Sequence, residues 1–216
     1  MAKRDKKQVG ETGATRRKKA LSKKRRAQPR KTLEKKRPSK KKTKQHRSKA
    51  VHKAALRLAL AWQPTPEAQK VIDTTQDVFD NTDGAKSDCN KFVKAVCDKL
   101  TTNPFADSDD ADAITNDIRS DTWLKANGWT GLKQDPVAAK KAADSGDIVI
   151  GGATGDDLAQ DHGHVVVVVS CEKLWKGYGY ASWGKLGGTG KVNEKMTVAF
   201  RLDDLPKVSY MSKALK

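Results

Sequence analysis

Asp88-Cys89-Asn90-Lys91-Phe92-Val93-Lys94-Ala95-Val96 places a cysteine in the first turn of an amphipathic helix. Phe92, Val93, Val96 and Leu100 follow Cys89 by three, four, seven and eleven residues, which is one helical face. The thiol therefore points toward the side on which a sheet packs. Seventy-five residues later, Gly163-His164-Val165-Val166-Val167-Val168-Val169 opens an apolar strand with a histidine. A thiol at a helix start and an imidazole at a strand start are the two halves of a Cys–His active site. The chemistry they suggest is acyl transfer, most simply hydrolysis of an amide bond.

Each position suits that chemistry. A free thiol titrates at roughly 8.5, so little of it is thiolate at neutral pH; the partial positive charge and unpaired N–H groups of a helix N-terminus favour the anion. The same N–H groups, that of Cys89 included, can receive the oxyanion of a tetrahedral intermediate, with Asp88 as the helix cap. The histidine takes the thiol proton and later gives one to the leaving amine. A third polar group usually orients such an imidazole. On the next strand Tyr178, Tyr180 and Ser182 share a face by period-two alternation, and Ser182 is the candidate orienter, with Asp161 as the alternative. His162 competes with His164; His164 is preferred because it adjoins the strand. His46 and His52 have no partner. A cysteine on an apolar helix face, or a histidine at a strand start, is by itself ordinary packing. Their conjunction, with Gly146-Asp147-Ile148-Val149-Ile150 between them, carries the catalytic reading.

Outward from these motifs, the rest of residues 65–216 reads as one domain of ordinary size. Thr65-Pro66-Glu67 starts a helix with Pro at its first position, and Val71, Ile72, Val78 and Phe79 give it an apolar stripe to about residue 80. Ser87 or Asp88 caps the Cys89 helix, which runs to about Leu100. An acidic loop from Asp107 to Asp112 leads into a helix over about 111–126, ended by Asn127-Gly128. Asp135-Pro136 begins a short Ala/Lys-rich helix that Ser145-Gly146 stops. Strands are expected at 147–150, 164–170, 177–183 and 196–202, with a Gly-rich acidic loop over 151–163 and a connection over 184–190. Helices first and a meander of strands afterwards make the fold α+β with an antiparallel sheet. Trp123, Trp129 and Trp175 read as packing residues, although a groove lined by Trp123 or Trp129, with Tyr180 beside it, would suit a glycopeptide.

The charge divides the chain differently. Residues 1–50 hold 23 Lys+Arg against 3 Asp+Glu, a net of +20, while 51–216 hold 21 against 23, a net of −2. The first segment has no aromatic residue and, apart from Val9, Leu21 and Leu33, no large aliphatic one, so it is expected to be a disordered basic tail. No apolar stretch follows its basic start, so it does not read as a standard secretory signal. Residues 51–64, including Ala54-Ala55-Leu56-Arg57-Leu58-Ala59-Leu60-Ala61-Trp62, form a basic amphipathic linker or helix too short to span a membrane, and no transmembrane segment is expected. The three cysteines are no disulfide framework: with Cys89 free, Cys97 and Cys171 either pair or are two buried thiols. No Cys/His cluster has zinc-site spacing, and no metal or other cofactor is expected.

Asp88-Cys89-Asn90-Lys91-Phe92-Val93, Gly146-Asp147-Ile148-Val149-Ile150 and Gly163-His164-Val165-Val166-Val167-Val168 resemble the papain-like cell-wall hydrolases, the NlpC-type peptidases and cysteine–histidine-dependent amidohydrolases. Tyr180-Ala181-Ser182-Trp183-Gly184-Lys185-Leu186-Gly187-Gly188 is similar, more narrowly, to the type VI secretion amidase effectors of family 1. The resemblance covers roughly 65–205. It implies a papain-like (NlpC-type) fold, with N-terminal helices on the sheet, and a peptidoglycan amidase acting on stem peptides. In family 1 the usual bond is γ-D-glutamyl–meso-diaminopimelate. It further implies Cys89 as nucleophile, His164 as base and a variable third position. Delivery into a target bacterium's periplasm or cell wall without a standard signal, an antibacterial role and an inhibitory immunity protein as partner would follow. The chain departs from the family in its +20 N-terminus.

That segment supports a reading of a different class, binding of nucleic acid or another anionic polymer. Without interleaved aromatics its contacts would go to phosphates and lack sequence preference. Envelope polymers and lipid head groups are equivalent partners on charge alone. A third reading keeps the Cys–His chemistry in a protein deamidase or acyltransferase, since substrate choice lies in loops such as 101–135 and 151–163. Salt separates the first two. Retention of the full chain on an immobilised polyanion is expected to fall steeply as salt rises and to vanish on deletion of 1–50, while amide cleavage survives that deletion.

Overall fold

The computed structural model describes residues 62–215. The basic segment 1–50 and all but the last residues of the 51–64 linker lie outside the described residues. Among the described residues the architecture is α+β, with seven helices and one six-stranded antiparallel sheet.

α1 (Pro66–Asn81) starts where expected, with Thr65 Oγ1 accepting from the Ala68 N–H and Pro66 at the first helical position. A 3₁₀ turn, Ala85–Ser87, leads to Asp88, whose carboxylate caps α2 (Cys89–Leu100). The helix expected over 111–126 is two. Ser120 ends α3 (Ala111–Arg119), and its hydroxyl accepts from Trp123 N–H to start α4 (Asp121–Asn127), which Gly128 closes at φ 68°. The edge strand β1 (Thr130–Lys133) was not expected. Asp135 caps α5 (Pro136–Asp144). β2 (Ile148–Ala153) runs three residues past the expected Ile150, and a capping box between Thr154 and Asp157 folds part of the expected loop into α6 (Gly155–Leu158).

β3 (His164–Val169) and β4 (Tyr180–Trp183) follow, β4 beginning three residues late. The strand expected at 196–202 is a correction. Lys191–Lys195 is β5, and Met196–Ala199 is the helical turn α7, with Val198 exposed. After a second 3₁₀ turn, Leu205–Lys207, the last strand β6 (Ser209–Lys213) also went unforeseen. The order β1-β6-β2-β3-β4-β5 is a meander from β2 to β5, with β6 returning to lie between β1 and β2.

Both faces of this sheet are covered. Phe92, Val93 and Val96 of α2, with Val71 and Val78 of α1 and Ile114 and Ile118 of α3, pack on Ile148, Ile150, Val165, Val167, Val169 and Met211. Ala139 and Ala143 of α5, Leu158 of α6, Met196 of α7, Phe200 and Leu205 pack on Val149, Val166, Val168, Trp183 and Tyr210. The expected N-terminal helical layer is therefore present, and a second layer lies opposite. Two-sided burial explains why β3 is an unbroken apolar run although its sheet is antiparallel.

The segment between β4 and β5 is docked against the turn preceding α2. The Lys185 and Gly190 N–H groups both donate to the Lys86 carbonyl, at 3.1 and 2.8 Å. Gly184 lies so close that a Cβ there would overlap the Ala85 and Asp88 carbonyl oxygens. Those are backbone atoms and cannot swing aside. Gly184→Ala is expected to destabilise the fold by about 1–3 kcal/mol, read as a lower denaturation midpoint of the full chain. Phe92→Ala, which empties a fully buried site, is expected to cost about 3–5 kcal/mol in the same measurement.

Candidate functional site

Cys89 is the first residue of α2, and its position is set by the cap. Asp88 Oδ1 accepts from the Asn90 and Lys91 N–H groups at 2.8 and 3.1 Å, and Phe92 N–H is taken by the Asp88 carbonyl. Of the first-turn donors proposed for an oxyanion, Asn90 and Lys91 are thus engaged by the cap, and the N–H of Cys89 itself is the one the cap leaves. The thiol is 5% exposed and donates to Asn90 Oδ1 at 3.4 Å. Burial pushes it up to about 11; the Val165 N–H opposes that shift, the Asp88 carboxylate adds to it, and the N–H groups of Cys89 and Asn90 oppose it.

His164 is the first residue of β3, paired with Ala153 of β2. It shares parity with Val166 and Val168, so its ring lies on the face opposite that of Val165, Val167 and the α2 core. It packs against Phe200 at 5.2 Å between ring centroids and edge-on to Trp183 at 6.5 Å. Burial lowers its titration to about 4, with smaller contributions from His162 and Lys185. Gly163, just before it, is obligatory for space, because a Cβ there would overlap Asp112 Oδ1 and approach the Ala153 carbonyl.

Cys89 and His164 come from opposite faces of the sheet, and both line a cleft of about 380 Å³. Trp183, Lys185, Leu186, Phe200 and Arg201 form much of its wall. A smaller cleft of about 170 Å³ also borders Cys89, lined by Asp88, Asp110, Asp112 and Asp161. His162 and Leu186 line both. The thiol hydrogen goes to Asn90 Oδ1, and burial disfavours the charged form of both groups.

Other expected site residues are elsewhere. Ser182 lies opposite Val167, three residues along β3 from His164, and is fully buried. Its hydroxyl donates to Thr75 Oγ1 at 3.2 Å and accepts from Asn193 N–H at 2.9 Å, so it ties β4 to α1 and β5 and does not orient His164. Asp161 lines the second cleft, not the first. Trp123 stacks on Phe105 at 5.5 Å, and Trp129 is buried beneath Lys213. Neither lines the thiol's clefts, nor does Tyr180, which packs on the α1–α2 side of β4. Their places are taken by residues the sequence did not single out. Lys185 and Leu186 enter because Gly184 and Gly190 dock their loop beside Cys89, and the Gly spacing of 184–190 was the available signal. Phe200 and Arg201 enter because 196–199 is a helical turn.

Cys97 and Cys171 are separate buried thiols, both raised by burial. Cys97 packs under the α2 layer, and Cys171 N–H donates to Asp144 Oδ1. Among the described residues no three His, Cys, Asp or Glu side chains gather as a metal site, and no helix is long and apolar enough to cross a membrane. No protein-family model matches the chain, and no curated protein matches it.

The two shifts set the stability at each end of the pH range. Folded His164 resists protonation to about 4, whereas the unfolded ring accepts a proton near 6.5. Falling pH therefore favours the unfolded chain between 6.5 and about 4, at up to about 1.4 kcal/mol per pH unit, and the contribution is whole above 6.5. Cys89 acts at the other end: its neutral form is favoured in the fold, so stability is withdrawn as pH rises from about 9 toward about 11. In urea denaturation of the full chain against pH, His164→Gln is expected to have a shallower acid limb and Cys89→Ala a shallower alkaline limb than the parent.

Proposed function

We propose that this chain is a cysteine amidohydrolase of papain-like, NlpC-type design that cleaves amide bonds in peptidoglycan stem peptides, the γ-D-glutamyl–meso-diaminopimelate bond first among them. Cys89, at the start of a helix, and His164, at the start of a strand, line one cleft, and that observation carries the reading. The similarity of three segments to the cell-wall hydrolases supplies the substrate. In this reading the protein is a secreted antibacterial effector, of the type VI amidase kind, acting in the periplasm or cell wall of a target bacterium. An immunity protein restrains it in the producer.

The chemistry uses few groups. The Cys89 sulfur adds to the amide carbonyl as its proton passes to an imidazole; the C–N bond breaks, the amine leaves with a proton, and water cleaves the thioester. The N–H of Cys89 is the donor placed to receive the oxyanion. Because burial favours the neutral thiol, activation requires an imidazole to take its proton as the sulfur attacks the bound substrate.

A second reading, binding of anionic polymer or nucleic acid, is favoured by the net +20 of residues 1–50. It is compatible with the first, since a polycationic segment concentrates an enzyme on an anionic wall. A deamidase or acyltransferase would use the same Cys89–His164 pair on another acyl donor.

The test is incubation of the full chain with peptidoglycan sacculi, with mass spectrometry of the released fragments. New stem-peptide ends are expected with the parent, and cleavage lower by about 10³-fold or more with Cys89→Ala and with His164→Ala. Sacculi left intact by the parent would remove the cell-wall assignment.

A further inference from the structure

Acyl transfer places negative charge on the carbonyl oxygen for the lifetime of the tetrahedral intermediate, and preorganised hydrogen-bond donors are what stabilise it. The helix start supplies one. Asp88 Oδ1 holds the Asn90 and Lys91 N–H groups, the Asp88 carbonyl holds that of Phe92, and the cap leaves the Cys89 N–H. A second donor has to come from a group beside the sulfur.

Among the described residues one side chain is hydrogen-bonded to the sulfur, that of Asn90, with Oδ1 3.4 Å from Sγ. Asn90 is half-buried at the head of α2 and borders the smaller cleft together with Cys89. Its Nδ2 group donates to none of the described residues and is not sealed from solvent. A carboxamide carries an acceptor and a donor on one carbon, and the torsion that exchanges them is broad and two-fold. At rest the acceptor faces the thiol hydrogen. Once that proton has gone to the imidazole, the sulfur offers Oδ1 nothing, and a half-turn brings Nδ2 to the same place. The oxyanion forms one carbon away from the sulfur, within reach of that position. Hydrogen bonds matter the more here because no lysine or arginine lines the smaller cleft, and Asp88, Asp110 and Asp112 already accept backbone N–H groups.

We propose that Asn90 is a further catalytic residue, whose Nδ2 group shares the oxyanion with the Cys89 N–H. As the S–C bond forms, the carbonyl π pair moves to oxygen, the thiol proton goes to His164, and the two donors hold the charge. The pair returns as the C–N bond breaks, and His164 gives its proton to the departing nitrogen. Water then adds its oxygen to the thioester carbon through a second oxyanion on the same donors. The C–S bond breaks, one proton of that water stays with the acid, and the other restores the thiol. Asn90 itself neither gains nor loses a proton, and nothing is oxidised or reduced. The assignment rests on the amide-hydrolysis reading of Cys89.

The experiment compares the parent, Asn90→Ala and Asn90→Asp as full chains on peptidoglycan sacculi. The second readout is the rate of iodoacetamide alkylation at Cys89, followed by peptide mass spectrometry. Alkylation displaces iodide from a saturated carbon and forms no oxyanion, so it reports on the thiol without its donors. Asn90→Ala is expected to lower the maximal cleavage rate by about 10²-fold, with half-saturation at the parental sacculus load and alkylation no slower than the parent's. Asn90→Asp fills the same space and keeps an acceptor but has no N–H, and it is expected to cleave no faster than Asn90→Ala. Parental cleavage by either variant would overturn the proposal. So would a loss of cleavage in Asn90→Ala matched by an equal loss of alkylation, the signature of a displaced thiol. Sacculi untouched by the parent itself would instead sink the hydrolase reading, and this assignment with it.

Discussion

The rest of the molecule depends on the burial of β3 from both sides at once. Val165, Val167 and Val169 face the α1–α3 layer, and Val166 and Val168 face α5, α7 and Phe200. Each interior valine side chain contributes about 1.5–3 kcal/mol by leaving water, so neither layer is dispensable. A slip of one residue would exchange the two sets, and both cores would have to repack around the wrong side chains. This is why the strand's first residue has a determined side. His164 belongs with Val166 and Val168, and Cys89 belongs with the opposite core. The thiol and the imidazole therefore reach their common cleft from opposite faces of the sheet.

Much of this architecture was legible because local chemistry and burial agreed. Thr65-Pro66 and Asp88-Cys89 carry helix starts in two residues each, and the cap hydrogen bonds follow them. Asn127-Gly128, Asp135-Pro136 and Ser145-Gly146 likewise punctuate the chain where they read as punctuation. The failures lie where a segment is too short for its period to be read. Met196-Thr197-Val198-Ala199 is apolar enough for a strand, yet four residues fit one helical turn equally well. Ser209-Tyr210-Met211-Ser212 sends one large side chain to each core and small ones beside them, so it shows neither alternation nor an apolar run, although it fills the space between β1 and β2. Thr130–Lys133 is an edge strand, largely exposed, and leaves no hydrophobic trace.

For the site, the sequence located the two residues that line one cleft but not their neighbours. The alternation argument for Ser182 found a genuine face, the one turned toward α1 and Thr75. It did not reveal that His164 lies on the other face, because register between β3 and β4 is a property of pairing rather than of either strand. The aromatic residues failed for a related reason. Trp123 and Trp129 are large enough to fill the core around α4, and burial there outweighs any surface role. Cleft walls came instead from a glycine-rich connection and a helical turn, whose positions depend on contacts remote in the chain.

One carbonyl oxygen, that of Lys86, receives the N–H groups of both Lys185 and Gly190. The segment between them is thus a closed loop with its neck at a single atom. A change of side chain at Leu186 would alter neither neck bond, since both are made by backbone groups. Leu186, 59% exposed, is in that stretch and lines both clefts that Cys89 borders. Descendants of such a fold are free to vary the wall of the cleft while its nucleophile and its sheet stay as they are, so divergence in preference can proceed without a toll on folding.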